Sequence, residues 1–139
     1  MMRIAIIGAG LSGLTAANTL KNHAEITIFE KARDVGGRMS NRCAKPYFFD
    51  HGAQFFSAQT NEFKAFIAPM ITDGIMNSWN ARFAEIEGRA IIRERRWNDD
   101  YPHYVGVPGM SSIATHLSNG MNLKLGTRVQ SISKQMSKW

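Results

Sequence analysis

The sequence predicts an α/β fold, in which parallel strands alternate with helices. Three observations indicate this fold. An apolar run, Ile4–Ile7, leads directly into a glycine-rich turn, small and apolar residues at helical spacing follow the turn, and a second apolar run ends at Glu30. A strand, a tight turn, a helix and a second strand form a βαβ unit, and its right-handed crossover makes the two strands parallel.

Each element of this unit has its own signal. The first strand is predicted from Arg3 to Gly8, because a continuous β-branched and apolar run is typical of a strand buried on both faces of a parallel sheet. The stretch "AEITIFE" predicts the second strand. Between them a helix is predicted from Leu11, with apolar and small residues at helical spacing: Leu14, Ala16, Ala17 and Leu20.

The three glycines of the turn have separate predicted roles. Gly8 lets the chain turn sharply off the strand, Gly10 leaves room for a pyrophosphate to approach the backbone, and Gly13 lets the helix pack closely on the sheet. The N–H groups at the start of the helix then face the phosphates. Glu30, twenty residues after Gly10, is placed to accept hydrogen bonds from ribose hydroxyls. This fingerprint serves both nicotinamide and flavin dinucleotides.

The composition is that of an ordinary globular protein, and it indicates which kinds of partner to expect. The chain has 139 residues, 44% hydrophobic and 20% charged, which suits one domain or one large piece of a larger one. The formal net charge of +6 suits a phosphate-bearing small molecule. The arginines of "RAIIRERRW" are interpreted as a solvated strand edge rather than a nucleic-acid patch, because no nucleic-acid-binding motif accompanies them. We therefore expect no nucleic-acid partner.

The remaining compositional features indicate a cytoplasmic protein. Cys43 is the single cysteine, so it cannot form an internal disulfide, and its context indicates a structural thiol. The amino terminus resembles a buried strand rather than a signal peptide, and no apolar stretch is long enough to span a bilayer. The spacing of His103 and His116 does not indicate a metal site, so no metal is expected.

Three further motifs identify a family. They are "EKARDVGGRMSNR" after the second strand, "YFFDHGAQFF" from Tyr47 to Phe56, and "YVGVPGMSSIATHL" from Tyr104 to Leu117. With the glycine fingerprint they resemble the flavin-containing amine oxidase superfamily, and within it the renalase-like bacterial FAD/NAD(P)-dependent oxidoreductases. This resemblance implies a Rossmann-like FAD-binding domain, with FAD as the cofactor, followed by the start of a substrate domain.

The resemblance also implies which residues hold FAD. They are Gly8, Gly10, Ser12 and Gly13 at the pyrophosphate, Glu30 at the adenosine ribose, Gly37 and Arg38 at the pyrophosphate or ribityl chain, Gly52, Ala53 and Gln54 near the isoalloxazine ring, and Val129 at the adenine. Simpler interpretations stay open for three of these: Arg38 as a surface cation, Gln54 as a turn residue and Val129 as a core residue. His51 is interpreted as structural rather than as a base, and no catalytic residue is assigned.

The middle and end of the chain carry weaker signals. "NEFKAFIAPMI" predicts a helix that Pro69 disturbs, a hairpin is predicted around Glu87-Gly88, and a helix is predicted after Pro108-Gly109, closed by Gly120. Short strands are predicted around Leu123 and Val129. Trp79, Phe83 and Trp97 are interpreted as packing residues, with a substrate-cavity wall as the alternative. The predicted organisation is 1–57 for the nucleotide-binding βαβ unit and flavin motifs, 58–103 for the start of the substrate domain, and 104–139 for the return to the FAD-binding domain.

The implied activity is hydride transfer from a reduced substrate to FAD. The substrate implied by the resemblance is an amine or a reduced nicotinamide-like compound, and the flavin carries the chemistry. Members of the superfamily are longer and have a C-terminal flavin motif that does not occur before Trp139. We therefore expect a truncated N-terminal part of such an enzyme. The alternative is a non-catalytic FAD-binding fragment, or a subunit completed by another chain.

Overall fold

The computed structural model describes residues 1–98 and 100–136, which divide into two compact units. Unit 1 comprises Met1–Ser40 and the chain from Ala114 onwards, and unit 2 comprises Asn41–Ile113. The elements of the described residues are β1 (Met2–Ile7), α1 (Leu11–Leu20), β2 (Ala24–Phe29), a 3-10 turn (Gly37–Met39), β3 (Asn41–Ala44), β4 (Tyr47–Asp50), β5 (Phe56–Ser57), α2 (Asn61–Thr72), β6 (Met76–Ser78), β7 (Arg82–Glu87), β8 (Ala90–Arg96), β9 (His103–Gly106), α3 (Ser111–Ser118) and β10 (Asn122–Lys124). The three-part organisation predicted from the sequence stays a prediction.

Unit 1 contains the predicted βαβ unit. β1 and β2 are parallel, with Ile4 opposite Ile26 and Ile6 opposite Ile28, and α1 forms the crossover between them. β10 joins β2 on its other side, also in parallel, so the strand order is β1-β2-β10. The α/β class and the parallel sheet are therefore confirmed.

The core of unit 1 lies on one face of this sheet. Leu14 and Ala17 of α1 and Ile28 of β2 are fully buried. On β1, Ile4 and Ile6 are half-buried, whereas Ala5 and Ile7 on the opposite face are exposed. The expectation that β1 is buried on both faces is wrong for the described residues, because β1 is an edge strand covered on one face only.

The three glycines of the first turn differ in whether backbone conformation or packing requires glycine. Gly8 has a φ of +100°, a conformation that favours glycine. A Cβ on Gly13 would overlap the carbonyl oxygen of Gly8, so this glycine sets the close packing of α1 on β1. Gly10 has ordinary extended backbone angles, and a Cβ there would meet no atom within 4 Å. The fold therefore requires glycine at positions 8 and 13, but not at 10.

Unit 2 is built from antiparallel strands and one longer helix. β3 pairs with β4, β9 lies between β5 and β6, and β7 pairs with β8. The predicted hairpin is confirmed, since Glu87 faces Ala90 across a turn in which Gly88 has a φ of +61°. The Thr60 hydroxyl begins α2 by accepting a hydrogen bond from the Phe63 N–H.

Two local expectations are wrong. α2 continues through Pro69 to Thr72, because a proline near the end of a helix removes only one intrahelical hydrogen bond, and Pro69 is exposed. The strand predicted around Leu123 is confirmed as β10. The strand around Val129 is not formed; that residue lies in an irregular segment, since β10 ends at Lys124.

The packing of α1 on β1 gives a test of the fold. We expect Gly13→Ala to lower the free energy of unfolding by about 1–3 kcal/mol, because the new methyl group meets backbone that cannot move aside easily. Gly10→Ala is the matched control and should change it by less than about 0.5 kcal/mol. Urea denaturation measures both variants, and equal losses would contradict this account of the turn.

Candidate functional site

Backbone hydrogen bonds fix the glycine turn of unit 1 to its neighbours. The Gly8 N–H donates to the carbonyl oxygen of Phe29, at the end of β2, over 2.8 Å. The Gly36 N–H donates to the carbonyl oxygen of Ala9 over 2.9 Å, and Gly10 and Gly36 form a parallel bridge. The turn is thus held between the end of β2 and the second glycine pair.

A buried carboxylate completes this arrangement. Glu30 is only 7% exposed. Its Oε2 accepts a hydrogen bond from the Ala9 N–H, and its Oε1 accepts one from the Ala32 N–H, both at 2.8 Å. A carboxylate has about four acceptor positions, so acceptor capacity remains for the hydroxyls of a ligand. Glu30 therefore orders the glycine turn and can still receive a ribose.

The segment after β10 runs alongside Glu30. The Glu30 N–H donates to the carbonyl oxygen of Lys124 over 2.9 Å, and the Thr127 N–H donates to the carbonyl oxygen of Glu30 over 2.8 Å. One step further, the Gly126 N–H donates to the carbonyl oxygen of Ala32 over 2.8 Å. These bonds extend the pairing beyond the strand and bring Val129 beside the turn without placing it in a strand.

These contacts enclose a cleft of about 220 Å³. It is lined by Ile7, Gly8, Phe29, Glu30, Lys31, Thr127, Arg128 and Val129. Three of the predicted site residues, Gly8, Glu30 and Val129, therefore lie on one cavity. The sequence does not single out Thr127 or Arg128, because their position depends on the pairing that follows β10.

The start of α1 is open to an anion. Gly10 is its N-cap residue and has no side chain to accept a hydrogen bond, and the first turn holds no acidic residue. Helix geometry leaves the N–H groups of Leu11, Ser12 and Gly13 without intrahelical acceptors. The open space at the Cβ position of Gly10 lies at this end of the helix. Such an end carries a partial positive charge and favours phosphate.

The second glycine pair packs against the first turn. Gly36 and Gly37 have φ values of +119° and +54°. A Cβ on Gly37 would lie 3.4 Å from the Cα of Gly10. Arg38 follows in the 3-10 turn with an exposed side chain. The structure therefore brings two separate glycine motifs and one guanidinium to the same end of unit 1.

The other predicted site residues lie in unit 2. Gly52, Ala53 and Gln54 are in the segment between β4 and β5, where Ala53 is half-buried and the other two are exposed. Their predicted place near a flavin ring stays a prediction. His51 is also exposed. Across residues 1–98 and 100–136, no group of three His, Cys, Asp or Glu side chains could hold a metal ion.

An aromatic cluster of unit 2 contains the three residues that the sequence predicts to be packing residues, Trp79, Phe83 and Trp97. The rings of Trp79 and Phe83 contact that of Trp97, with centroids 5.3 and 5.7 Å apart. Trp97 stacks on His103 with centroids 3.7 Å apart, and His103 is buried. The packing interpretation agrees with these contacts. The burial of His103 could not be predicted from the sequence, because the rings of Phe55, Trp97 and Tyr101 that surround it come from separate segments.

Comparison with known proteins supports a dinucleotide-binding unit. The family model of the NAD(P)-binding Rossmann-like domain matches residues 6–69. This part of the chain is therefore similar to NAD(P)-binding Rossmann-like domains. Over 52 residues the chain is 48% identical to a 4,4'-diapophytoene desaturase of Staphylococcus aureus, a stretch that covers 37% of this chain and 10% of the desaturase. The matched stretch is thus a small part of the curated relative.

Two solved structures share the fold of this chain. The 2,6-dihydroxypyridine-3-hydroxylase from Arthrobacter nicotinovorans superposes with a TM-score of 0.56 at 12% identity, over 96% of this chain and 31% of the hydroxylase. A 2-methyl-3-hydroxypyridine-5-carboxylic acid oxygenase (mutant C294A) superposes with a TM-score of 0.55 at 13% identity, over 91% and 32% of the two chains. In the described part of the chain, no helix has the length and apolar character needed to cross a membrane.

The buried carboxylate of Glu30 can be tested directly. Glu30→Gln replaces one acceptor oxygen by an amide that cannot accept from a backbone N–H. We expect the free energy of unfolding to fall by about 1–3 kcal/mol, the range for losing a hydrogen bond to a buried charged group. Glu25→Gln is the matched control, because Glu25 lies on the same strand and is exposed. Urea denaturation that gives the same midpoint for both variants would contradict the proposed role of Glu30.

Proposed function

We propose that unit 1 binds FAD and that the chain is part of an amine-oxidase-like flavin oxidoreductase. The observation that carries this proposal is the cleft shared by Gly8, Glu30 and Val129, beside the uncapped start of α1. In this proposal Glu30 would receive the ribose, the start of α1 would receive the pyrophosphate, and the segment at Val129 would lie beside the adenine.

The size of the cleft suits part of a dinucleotide. Its volume of about 220 Å³ is below the roughly 300–1,000 Å³ of pockets that hold a whole small ligand. The adenosine would occupy the cleft, with the ribose at Glu30 and the adenine beside Val129. The pyrophosphate would then extend over Gly10, where a Cβ would meet no atom within 4 Å. The rest of the cofactor would lie outside the cleft.

Arg38 and the second glycine pair support FAD over a nicotinamide dinucleotide. Gly36 and Gly37 lie against the first turn through the Gly36–Ala9 hydrogen bond and the close approach of Gly37 to Gly10. An exposed guanidinium directly after them can meet a phosphate or the ribityl chain. The resemblance to the amine oxidase superfamily, including its renalase-like branch, rests on this "GGR" stretch together with the motifs of unit 2.

Bound FAD would accept a hydride from a reduced substrate. The chain's own residues would bind and orient the cofactor: Glu30 through the ribose, α1 through the pyrophosphate and Arg38 through its charge. The desaturase similarity supports a redox function, and the resemblance proposes an amine or a reduced nicotinamide-like substrate. Because the matched stretch covers 10% of that desaturase, activity is proposed for the complete protein. We further propose that it acts in the cytoplasm.

A second candidate is an FAD-binding unit that another chain completes. Both candidates predict flavin binding by unit 1, and they differ in catalysis by this chain alone. Flavin reduction under anaerobic conditions, with amines or reduced nicotinamides added to the purified chain and FAD, distinguishes them. Bleaching of the yellow flavin absorbance supports the enzyme; binding without bleaching supports the subunit.

Gly10 tests the position of the cofactor. We expect Gly10→Val to abolish FAD binding, because a branched side chain would fill the space over which the pyrophosphate passes. Since the backbone angles of Gly10 are ordinary, the variant should fold. Calorimetry measures FAD binding, and Ala16→Val, on the exposed side of α1, is the control that should bind normally. Unchanged binding by Gly10→Val would place the cofactor elsewhere.

Arg38 tests the choice between the two cofactors. We expect Arg38→Ala to weaken FAD binding by about 1.5–3 kcal/mol, the range for a charge-assisted hydrogen bond. Arg89→Ala removes the same charge from an exposed turn of unit 2 and should leave binding unchanged. Competition titrations with FAD and NAD on the wild-type chain complete the test. Tighter binding of NAD than of FAD would overturn the flavin assignment, while leaving a dinucleotide site in place.

A further inference from the structure

The β7–β8 hairpin of unit 2 stands apart from the other strands. Its two strands pair only with each other among the described residues, and every residue of β8 is exposed. Isolated two-stranded hairpins are only marginally stable in water. The outer edge of β8 also presents backbone N–H and C=O groups that a further strand can use. The exposed backbone groups of β8 could therefore pair with a third strand, and that pairing would stabilise the hairpin.

The charge on this edge is strongly positive. From position 93 to 96, β8 carries three arginines and one glutamate. That glutamate, Glu94, is already engaged, because its two oxygens accept hydrogen bonds from Arg82 at 3.0 and 3.3 Å. Among the described residues, Arg93 and Arg96 have no ion-pair partner. Within the described part of the chain, the charges of Arg93 and Arg96 are thus not neutralised by an ion pair.

The hairpin arranges these cations on both faces. Arg93 lies opposite Glu85, and Arg95 lies opposite Phe83, with its guanidinium 4.3 Å from the ring centroid. On the other face Arg96 lies directly opposite Arg82, a like-charge pair that is unfavourable across strands. A groove of about 320 Å³ lies at this end, lined by Arg82, Glu94, Arg95 and Arg96. Glu94 already binds Arg82 in that groove, and a further carboxylate could pair with Arg96.

The arginines of β8 lie in the part of the strand that pairs regularly with β7. The register shifts between Glu85 and Ile86, so Ile92 is an extra residue on β8 and forms a bulge. Beyond it, residues 93–96 pair regularly with β7. Bulges and edge charges also prevent two copies of a protein from pairing. A second copy of this chain, with a net charge of +6, would bring charge of the same sign.

We propose that the edge of β8 from Arg93 to Arg96 is a docking site for an extended, acidic segment of another protein. The segment would add as a third strand, with main-chain hydrogen bonds to β8 and carboxylates opposite Arg93 and Arg95 on one face and Arg96 on the other. Directly opposite side chains in paired strands lie close enough for opposite charges to stabilise the pair. The charges would then select the partner, and the main-chain hydrogen bonds of the added strand would provide affinity that does not depend on the partner's sequence.

The test uses a short capped peptide of alternating threonine and glutamate as the probe. Fluorescence anisotropy measures binding to the whole chain, and hydrogen exchange measures protection of the β8 amides. We expect binding that weakens with salt, and protection of residues 93–96 on addition of peptide. A peptide of alternating threonine and lysine should not bind. Absence of binding by the acidic peptide, or binding without protection of β8, would overturn the proposal.

Paired variants separate the site from general charge attraction. Arg93→Glu with Arg95→Glu should weaken peptide binding by about tenfold or more, because two attractive pairs become repulsive. Lys21→Glu with Lys64→Glu changes the net charge equally at exposed positions that are not part of the hairpin, and should leave binding within about twofold. Equal losses in both variants would overturn the proposal.

Two further measurements on the wild-type chain address other occupants and do not depend on the folding of any variant. Sedimentation of the chain without peptide shows whether it forms a dimer. Hydrogen exchange under the same conditions should show no protection of the β8 amides. A single-stranded DNA oligonucleotide should not protect those amides or compete with the peptide. Dimerisation through β8 would favour a second copy, and competition by DNA would favour a nucleic acid; either result would overturn the proposal.

Discussion

The hydrogen bonds accepted by the buried carboxylate of Glu30 are the interaction on which unit 1 depends. The two oxygens of this carboxylate accept hydrogen bonds from Ala9, inside the glycine turn, and from Ala32, just beyond β2. A buried carboxylate is costly unless its oxygens are hydrogen-bonded, and here both are. This one side chain therefore links the turn after β1 to the chain that leaves β2. The same group faces the cleft, so the contact that orders the site also contributes to it.

The rest of the site is built outward from this link. The end of β2 is bonded to the turn on one side, through Gly8, and to the segment after β10 on the other, through Thr127. The second glycine pair then bonds back to the turn through Gly36. Most of these are backbone bonds, so many side chains could vary without moving them. Glycine is required at positions 8 and 13 by conformation and packing, whereas a Cβ at Gly10 would meet no atom within 4 Å.

Much of this arrangement could be predicted from the sequence, because its signals are local. The apolar runs, the helical spacing from Leu11 and the glycine fingerprint each lie within a few residues and specify β1, α1 and β2. The acidic residue at the end of β2 follows from the same fingerprint. What could not be predicted depends on contacts between distant segments. The backbone bonds of Glu30 and the irregular path at Val129 depend on where β10 pairs. The exposure of one face of β1 depends on which other elements cover that strand. The continuation of α2 through Pro69 has a different cause, since the effect of a proline depends on its distance from the end of the helix.

The central claim is that the glycine turn and the segment after β10 form one dinucleotide site. Protection of backbone amides from hydrogen exchange by adenosine diphosphate tests this claim most directly. This ligand is the part that FAD and NAD share. Hydrogen exchange of the chain with and without it should show slower exchange at two separate stretches, residues 8–13 and residues 127–130. Protection of the turn alone, of unit 2 alone, or of neither stretch would contradict the account.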